Sequence, residues 1–273
     1  IEEIIYRTFA YINQAFEIFL KNGKSYLFNM LHPDYFAKTI EEIKRINRSN
    51  EHELLITKIN EQNEYKILEE KGITKKWENN LISNYQFLLY LNKYSGRTFN
   101  DINQYPIFPW VILSDVYKDD IENSKCIIED EKKRPKIYFR DMNYFMTTQT
   151  KRGREKAMET YGYTEENFSG KGNHFSLHYS TAGYLLLYLL RVNPFRDVHY
   201  KFQSYKFDDP NRLIHNIDEL LFLIHESNDT RELIPELFTT CEYFYNLNYI
   251  YFGFRKQINL VLNDLKVSPF FNR

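Results

Sequence analysis

Cysteine, tryptophan, proline and glycine are all scarce in this 273-residue chain, at two, two, eight and nine residues. Two cysteines, Cys126 and Cys241, are too few for a disulfide framework and too far apart for ligand spacing; they read as free thiols in a reducing compartment. So little glycine argues against a low-complexity chain. Long hydrophobic runs are missing too: the longest, "AGYLLLYLLRV", falls short of the ~20 residues that a bilayer demands. Nor does charge of one sign dominate. Thirty-six basic against 37 acidic residues leave a formal charge of −1, which gives no global pull towards nucleic acid or anionic lipid, so any such contact must be a local patch. No signal-peptide pattern opens the chain and its first residue is not Met, so an interior piece of a longer cytoplasmic protein is expected.

Aromatic residues are abundant: 23 Tyr and 22 Phe help bring the aromatic fraction to 17 %. "FEIFLKNGKSYLF" alternates Phe16, Ile18 and Leu20, then places Asn22-Gly23 before Tyr26 to Phe28. This predicts a hairpin with a type I′ turn, because both turn residues tolerate positive φ. "HPDYFAKTIEEIKRI" spaces Phe36, Ile40 and Ile43 along one stripe of a helix that begins just after Pro33. Residues 47–72 are polar and charged and read as a linker, with a short helix around Leu54 to Leu68. From Trp77, "WENNLISNYQFLLYLNKYSG" puts Leu81, Ile82, Tyr85, Leu88 and Leu89 on one helical face, with Gly96 as its C-terminal cap. "YKDDIENSKCIIEDEKKRPK" reads as a solvated loop. "STAGYLLLYLLRVNPF" is apolar nearly all round and predicts a buried helix, capped by Ser180 or Thr181 and ended near Pro194. "DDPNRLIHNIDELLFLIHES" predicts an amphipathic helix with Leu213, Ile217, Leu220, Leu221 and Ile224 inward.

One stretch fits neither period. "RTFNDINQYPIFPW", Arg97 to Trp110, mixes Phe99, Ile102, Tyr105, Ile107, Phe108 and Trp110 with Asn100, Asp101, Asn103 and Gln104. It is too apolar for a surface loop and too rich in amides and prolines for a core helix or strand. The physical reading is irregular backbone inside a core. An unpaired buried peptide group costs ~1–3 kcal/mol, and short amide and carboxylate side chains can supply the missing partners locally.

The same residues resemble the start of a BEACH domain. "WENNLISNYQFLLYLNKYSGRTFNDINQYPIFPWV" is similar to the family's W-x-N-x-x-I-S-N-[FY] through N-D-L-N-Q-Y-P-V-F-P-W-V. "YFRDMN", "HFSLHYSTAGYLLLYLLRVNPF", "FDDPNRLIHNI" and "ELIPELF" resemble later family segments in order. Residues 1–46 resemble the C-terminal part of the PH-like domain that precedes BEACH in scaffolds of the neurobeachin and lysosomal-trafficking-regulator type. Chain departures include "YFM", Tyr144 to Met146, after the Arg-Asp motif, Ser176 for a usual Gly, and no C-terminal W-I-D-L-I-F-G helix.

The resemblance implies an α+β chain. A partial PH-like β-sandwich with a C-terminal helix spans 1–46 and a linker spans 47–72. A BEACH fold spans 73–273, with extended irregular core segments surrounded by α-helices, C-terminally incomplete. It implies a non-enzymatic scaffold in a large cytoplasmic protein of vesicle traffic, lysosomal, endosomal or autophagic, often with WD repeats downstream. Protein partners, a PH-like domain docked on BEACH, peripheral membrane association and no cofactor are expected. The residues expected to form the motif's structural core are Trp77, Asn84, Arg97, Asn100, Asp101, Asn103, Gln104, Tyr105, Trp110, Arg140, Asp141, His174, His178 and Tyr179. Phe36, Ile40 and Ile43 are the candidate inter-domain contact.

Residue chemistry points the same way. His174 and His178 have the i, i+4 spacing of metal ligands but no glutamate follows the first and no third ligand is evident, so structural histidines are expected. "SGKGN" lacks P-loop spacing, and no G-x-S-x-G elbow appears. Arg140-Asp141 reads as a buried ion pair fixing irregular backbone rather than an acid–base couple. Lys151, Arg152, Arg154 and Lys156 form the densest basic cluster. It is read as a solvated helix face or, alternatively, together with the PH-like part, as a contact with acidic lipid or a partner. No nucleic-acid signature is present.

Overall fold

In a computed structural model of the chain, the structure describes residues 1–48, 55–57, 64–113, 138–168, 172–175, 181–226, 229–239 and 241–266. The chain divides into two compact units, Ile1–Pro106 and Ile107–Arg273. Helices combine with small sheets in an α+β fold.

The first unit is built on a four-stranded sheet of β1 (Glu3–Phe9), β2 (Ile12–Phe19), β3 (Ser25–Asn29) and β4 (Leu55–Thr57), in the order β3-β2-β1-β4. The expected hairpin joins β2 and β3, but its turn is not type I′. Gly23 has φ 82°, whereas Asn22 is not among the residues with positive φ. The Gly23 N–H donates to the Leu20 carbonyl at 3.0 Å and the Leu20 N–H to the Lys24 carbonyl at 2.9 Å. Asn22 Oδ1 accepts the Lys24 N–H at 3.1 Å. The asparagine thus closes the turn through its side chain, and glycine alone takes the left-handed conformation, as in a G1 bulge.

The pleat puts Ile4, Tyr6, Phe16 and Ile18 on one face. Helix α1 (Pro33–Arg48) covers that face with Phe36, Ile40 and Ile43, and Phe36 meets Tyr6 edge-on at 5.3 Å. This corrects the expectation of an inter-domain contact at these three residues. The helix follows β3 after a short connection, and its apolar stripe folds back onto the nearest apolar surface, which is its own sheet.

The opposite face carries Glu3, Ile5, Arg7, Ala15, Glu17 and Phe19 by register. Helices α2 (Glu64–Glu70), α3 (Ile73–Glu78) and α4 (Asn84–Tyr94) accompany it, and Ile5 clusters with Ile67, Leu68, Ile73 and Tyr94. The stretch expected as a linker therefore contributes strand β4, parallel to β1, and a helix with two buried side chains. The single helix expected from Trp77 is two helices. Asn80 adopts φ 56° between them, and Ser83 opens α4 with a capping box closed by Gln86. Leu81 is left exposed. Gly96, φ 84°, ends α4 as expected, with the Arg97 N–H returning to the Asn92 carbonyl at 3.0 Å.

The second unit contains α5 (Lys151–Asn167), α6 (Ala182–Tyr188), α7 (Phe195–Phe202) and α8 (Ile217–Glu226), with two-stranded pairs β5 (Ile112–Leu113) with β6 (Tyr138–Phe139) and β7 (Phe254–Arg255) with β8 (Leu260–Val261). Thr181 caps α6 by accepting the Tyr184 N–H. The helix stops at Tyr188, but Leu189 and Leu190 in the following turn are fully buried. Helix α8 likewise starts later than expected. Asn216 Oδ1 accepts the Asp218 N–H at 2.8 Å, an Asx turn that sets the helix start, and Leu213 is buried in the preceding segment beside Leu190, Phe252 and Leu262. The segment "YKDDIENSKCIIEDEKKRPK" lies outside the described residues.

Among the described residues of this unit, His199 and His215 are buried. Desolvation pushes His199 below its ordinary value of 6.5 against the opposing pull of Asp208. Desolvation does the same to His215, with Arg255, Lys266 and Arg191 adding to the shift and Glu219 opposing it. An imidazole with a depressed folded-state pKa binds its proton first in the unfolded chain. Its stabilisation is complete above about 6.5 and is lost as pH falls from there through the folded value. Thermal melting should therefore show Tm falling between pH 7 and pH 5, and His199→Gln with His215→Gln should flatten that slope. An unchanged slope in the double variant would refute the assignment.

Candidate interaction site

The polar face of the first sheet is an unusual thing to bury, and its burial creates the site. Glu17, at 0 % exposure, lies towards the end of β2. A carboxylate there costs several kcal/mol unless its lone pairs are filled. Four donors surround it. Arg7 Nε donates to Oε2 at 2.9 Å and Arg7 Nη2 lies 2.7 Å from the same oxygen. The Thr98 hydroxyl donates to Oε1 at 2.6 Å and Asn100 Nδ2 at 2.9 Å. Arg7 is held in turn by the Lys93 carbonyl at 2.7 Å, at the last turn of α4. Burial draws its guanidinium below the ordinary value, against the opposing fields of Glu17 and Glu3.

A second acid on the same face works alike. Glu3 accepts Lys93 Nζ at 2.9 Å, Lys71 Nζ at 3.1 Å and the Tyr94 hydroxyl at 3.1 Å. Burial and the neighbouring carboxylate push the Tyr94 phenol well above its usual range. Lys93 also sits 3.9 Å above the Phe19 ring. The sheet and the helices are thus joined by ion pairs around a small apolar patch.

Thr98 and Asn100 belong to the puzzling stretch, which folds as a tight loop. The Thr98 N–H donates to the Gln104 carbonyl at 2.9 Å and the Gln104 N–H to the Asp101 carbonyl at 3.2 Å. Asp101, buried, accepts the Asn103 N–H through Oδ1 at 2.9 Å. Arg97 donates to the Tyr105 carbonyl at 2.8 Å, and Phe99 meets Tyr105 edge-on at 5.3 Å. Of the four amide and acid residues expected as backbone partners, Asp101 bonds a peptide group through its side chain, and Thr98 and Arg97, outside that set, do so too. The expected role does not extend to Asn103 and Gln104, which are exposed: their peptide groups close the loop themselves. Asn100, also exposed, reaches inward to the sheet, donating to Glu17 and to the Ser25 hydroxyl at 2.9 Å.

Beside this loop lies a groove of about 280 Å³. Phe19, Leu89, Tyr90, Phe99 and Pro106 give it apolar walls, with Glu17, Lys93 and Arg97 also lining it. Its shape depends on the Glu17 contacts, because they fix β2 and the loop at the positions that bound it.

The other expected residues are distributed as follows. Trp77 is half-exposed, stacked on Phe87 at 4.5 Å and donating through Nε1 to Asn84 Oδ1 at 2.8 Å. In the second unit Trp110 is buried; its N–H donates to Glu232 Oε2 at 2.9 Å and its indole to the Arg231 carbonyl at 3.0 Å. Arg140 is buried but does not pair with Asp141. It binds Glu232 at 2.7 Å and the Tyr144 carbonyl at 3.0 Å, while Asp141 accepts the Asn143 N–H at 2.9 Å. Neighbouring side chains project to opposite sides of extended backbone, so the adjacent acid cannot meet the arginine. Burial raises the Glu232 carboxyl above its ordinary value, with Arg140 opposing. His174 is exposed against the Tyr161 ring at 4.6 Å, not in a core. His178 and Tyr179 lie outside the described residues. Lys151, Arg152 and Lys156 are exposed on α5, and Arg154 donates to the Thr148 and Gln149 carbonyls at 3.2 and 3.1 Å.

Sequence reading missed Glu3, Arg7, Glu17 and Glu232. A period-2 signal was available for the first two: in "EIIYRTF" Glu3 and Arg7 stand an even number of residues apart and so share a face of the strand.

A sheet-and-helix unit latched by buried ion pairs is thus followed in the chain by a unit of irregular aromatic segments among short helices. The comparisons name the family. The Beige/BEACH domain profile matches residues 75–273, and the chain belongs to the BEACH family. A neurobeachin homolog of Caenorhabditis briggsae is 30 % identical over 271 residues, 98 % of this chain and 10 % of that protein. The lysosomal-trafficking regulator of Drosophila melanogaster is 29 % identical over 283 aligned residues, 100 % of this chain and 7 % of that protein. Protein SPIRRIG of Arabidopsis thaliana is 34 % identical over 202 residues, 73 % of this chain and 5 % of that protein. The chain thus spans a tenth or less of the curated relatives it matches.

If the Glu17 contacts hold the first unit together, Glu17→Ala should destabilise it by about 3–5 kcal/mol, since Arg7 is left buried and uncompensated. Asp101→Ala should cost about 1–3 kcal/mol, whereas Asn103→Ala and Gln104→Ala should stay within about 0.5 kcal/mol. Denaturant titration of the four variants checks the ranking; equal midpoints would contradict it.

Proposed function

We propose that this chain is a non-enzymatic protein-interaction module of a large cytoplasmic scaffold in membrane and vesicle traffic, and that the groove beside Phe99 receives its protein partner. Residues 1–46 are read as the C-terminal part of a PH-like domain and 73–273 as the BEACH domain. Alignment with the neurobeachin homolog over 98 % of the chain supports keeping both parts together. The observation that carries the reading is the latch of Arg7, Glu17, Thr98 and Asn100. It fixes an apolar-walled groove in advance, and preorganisation lowers the ordering cost of binding. Burying an acid to hold a loop in place suits a site that must keep its shape.

The test uses Phe99→Glu in the intact parent protein. Phe99 is 48 % exposed, so melting should be little changed while a charge enters the groove. Proximity labelling should then lose a discrete subset of membrane-traffic proteins that the unmodified parent labels. An identical labelled set from both proteins would overturn the groove as partner site.

A further inference from the structure

The geometry points to a second surface, at the start of α5, that docks on an anionic lipid membrane. It is separate from the groove and does not depend on that reading.

Three observations converge there. The first is charge. "KRGREK" places Lys151, Arg152, Arg154 and Lys156 in the first two turns of α5 with Glu155 as the one acid, a local excess of three positive charges (four minus one) in a chain whose formal charge is −1. Lys151 meets Glu155 at 4.0 Å, both exposed. Arg152 and Lys156 are exposed and share one side of the helix at i, i+4 spacing. Helix stability does not account for this arrangement, since cations in a first turn oppose the dipole.

The second observation is apolar exposure at the same edge. The loop before α5 presents Met142, Tyr144 and Phe145, with 59 %, 43 % and 43 % of their surface open. Arg154 connects the two features, with its guanidinium 5.4 Å from the Tyr144 ring.

The third is that this exposed loop is held rigidly. Gln149 is buried, yet its whole side chain is devoted to the loop. Nε2 donates to the carbonyls of Asp141 at 2.9 Å, Tyr144 at 2.9 Å and Phe145 at 3.3 Å, and Oε1 accepts the Asp141 N–H at 3.0 Å. Arg140 donates to the Tyr144 carbonyl as well. Gly153 lets the turn at Thr147 approach α5 so closely that any Cβ there would collide with the Thr147 carbonyl. Buried polar groups thus fix a loop whose apolar side chains stay partly open to solvent, Phe145 with one edge against Phe175 at 5.0 Å and Met142 the most exposed.

A protein partner of acidic character would match the cations. It would not explain why they adjoin a thioether and two rings held outward. A membrane matches both: Lys and Arg meet anionic headgroups while their stems and the Met, Tyr and Phe side chains reach the acyl boundary. Each basic side chain near an anionic leaflet contributes roughly a fivefold gain in partitioning.

The test is cosedimentation of the full 273-residue chain with vesicles of phosphatidylcholine, with and without phosphatidylserine, at low and high salt. The chain should sediment with the anionic vesicles, and salt should release it. Combined Lys151→Gln, Arg152→Gln and Lys156→Gln should lower partitioning on the order of 100-fold. Met142→Asp should lower it several-fold, and melting should stay unchanged because all four side chains are exposed. Equal sedimentation with both vesicle types would overturn the proposal, as would a triple variant that binds like the parent. Binding to immobilised polyglutamate through the same cations, with no retention on anionic vesicles, would also overturn it and assign the surface to an acidic protein.

Discussion

The carboxylate of Glu17 is the constraint on which the first unit depends. It is fully buried in an inner strand of a sheet covered on both faces, where an unpartnered charge would be untenable. Its partners are far apart in sequence: Arg7 on the neighbouring strand, Thr98 and Asn100 beyond the end of α4. Satisfying one side chain therefore ties three segments into one arrangement. Replacing the cluster with apolar residues could give equal or greater stability. What the ion pairs add is register. A slipped strand would put Glu17 on the α1 side facing Ile40 and Phe36, turned away from Arg7, Thr98 and Asn100.

Glu232 plays a comparable part in the second unit. It accepts the Trp110 N–H and the Arg140 guanidinium, and its own carbonyl takes the Tyr188 hydroxyl at 3.1 Å. Phe108 and Leu233 exchange backbone bonds at 2.8 and 2.9 Å in an isolated bridge. Nearby, Arg231 lies 3.7 Å over the Tyr184 ring and pairs with Asp229. Extended segments without a sheet have peptide groups with no ladder to join. Buried side chains with several acceptors or donors take the place of that ladder. This explains how so many aromatics can occupy irregular backbone: the rings fill volume, and a few charged groups close the hydrogen-bond account.

Much of this was legible in the residues. The hairpin, α1, the Gly96 cap and the buried run after Thr181 follow from local chemistry that acts over a few residues. The family resemblance extended that reading across the chain. What stayed hidden were pairings set by tertiary placement. Arg140 had an acid beside it in sequence, but its partner lies 92 residues away. Phe36, Ile40 and Ile43 were correctly read as one stripe, while the surface they cover could not be read from the stripe itself. Asn103 and Gln104 resemble Asn100 and Asp101 in type and differ only in which way a tight turn points them. The loop's composition revealed that peptide groups needed partners; which side chain served which group was a matter of geometry.

The groove and the start of α5 rest on opposite uses of one device. At the groove, buried ions hold a loop down, so that apolar walls face inward over a polar floor. At the start of α5, a buried amide holds a loop up, so that apolar side chains face outward beside cations. Both arrangements keep polar groups inside the protein in order to control where apolar surface is presented. A fold selected only for stability would bury Met142 and Phe145 and would fill the groove. It has instead fixed both through hydrogen bonds that are specific in direction, whereas hydrophobic contact is not. Directional bonds can hold an exposed apolar shape in place where hydrophobic collapse would otherwise remove it.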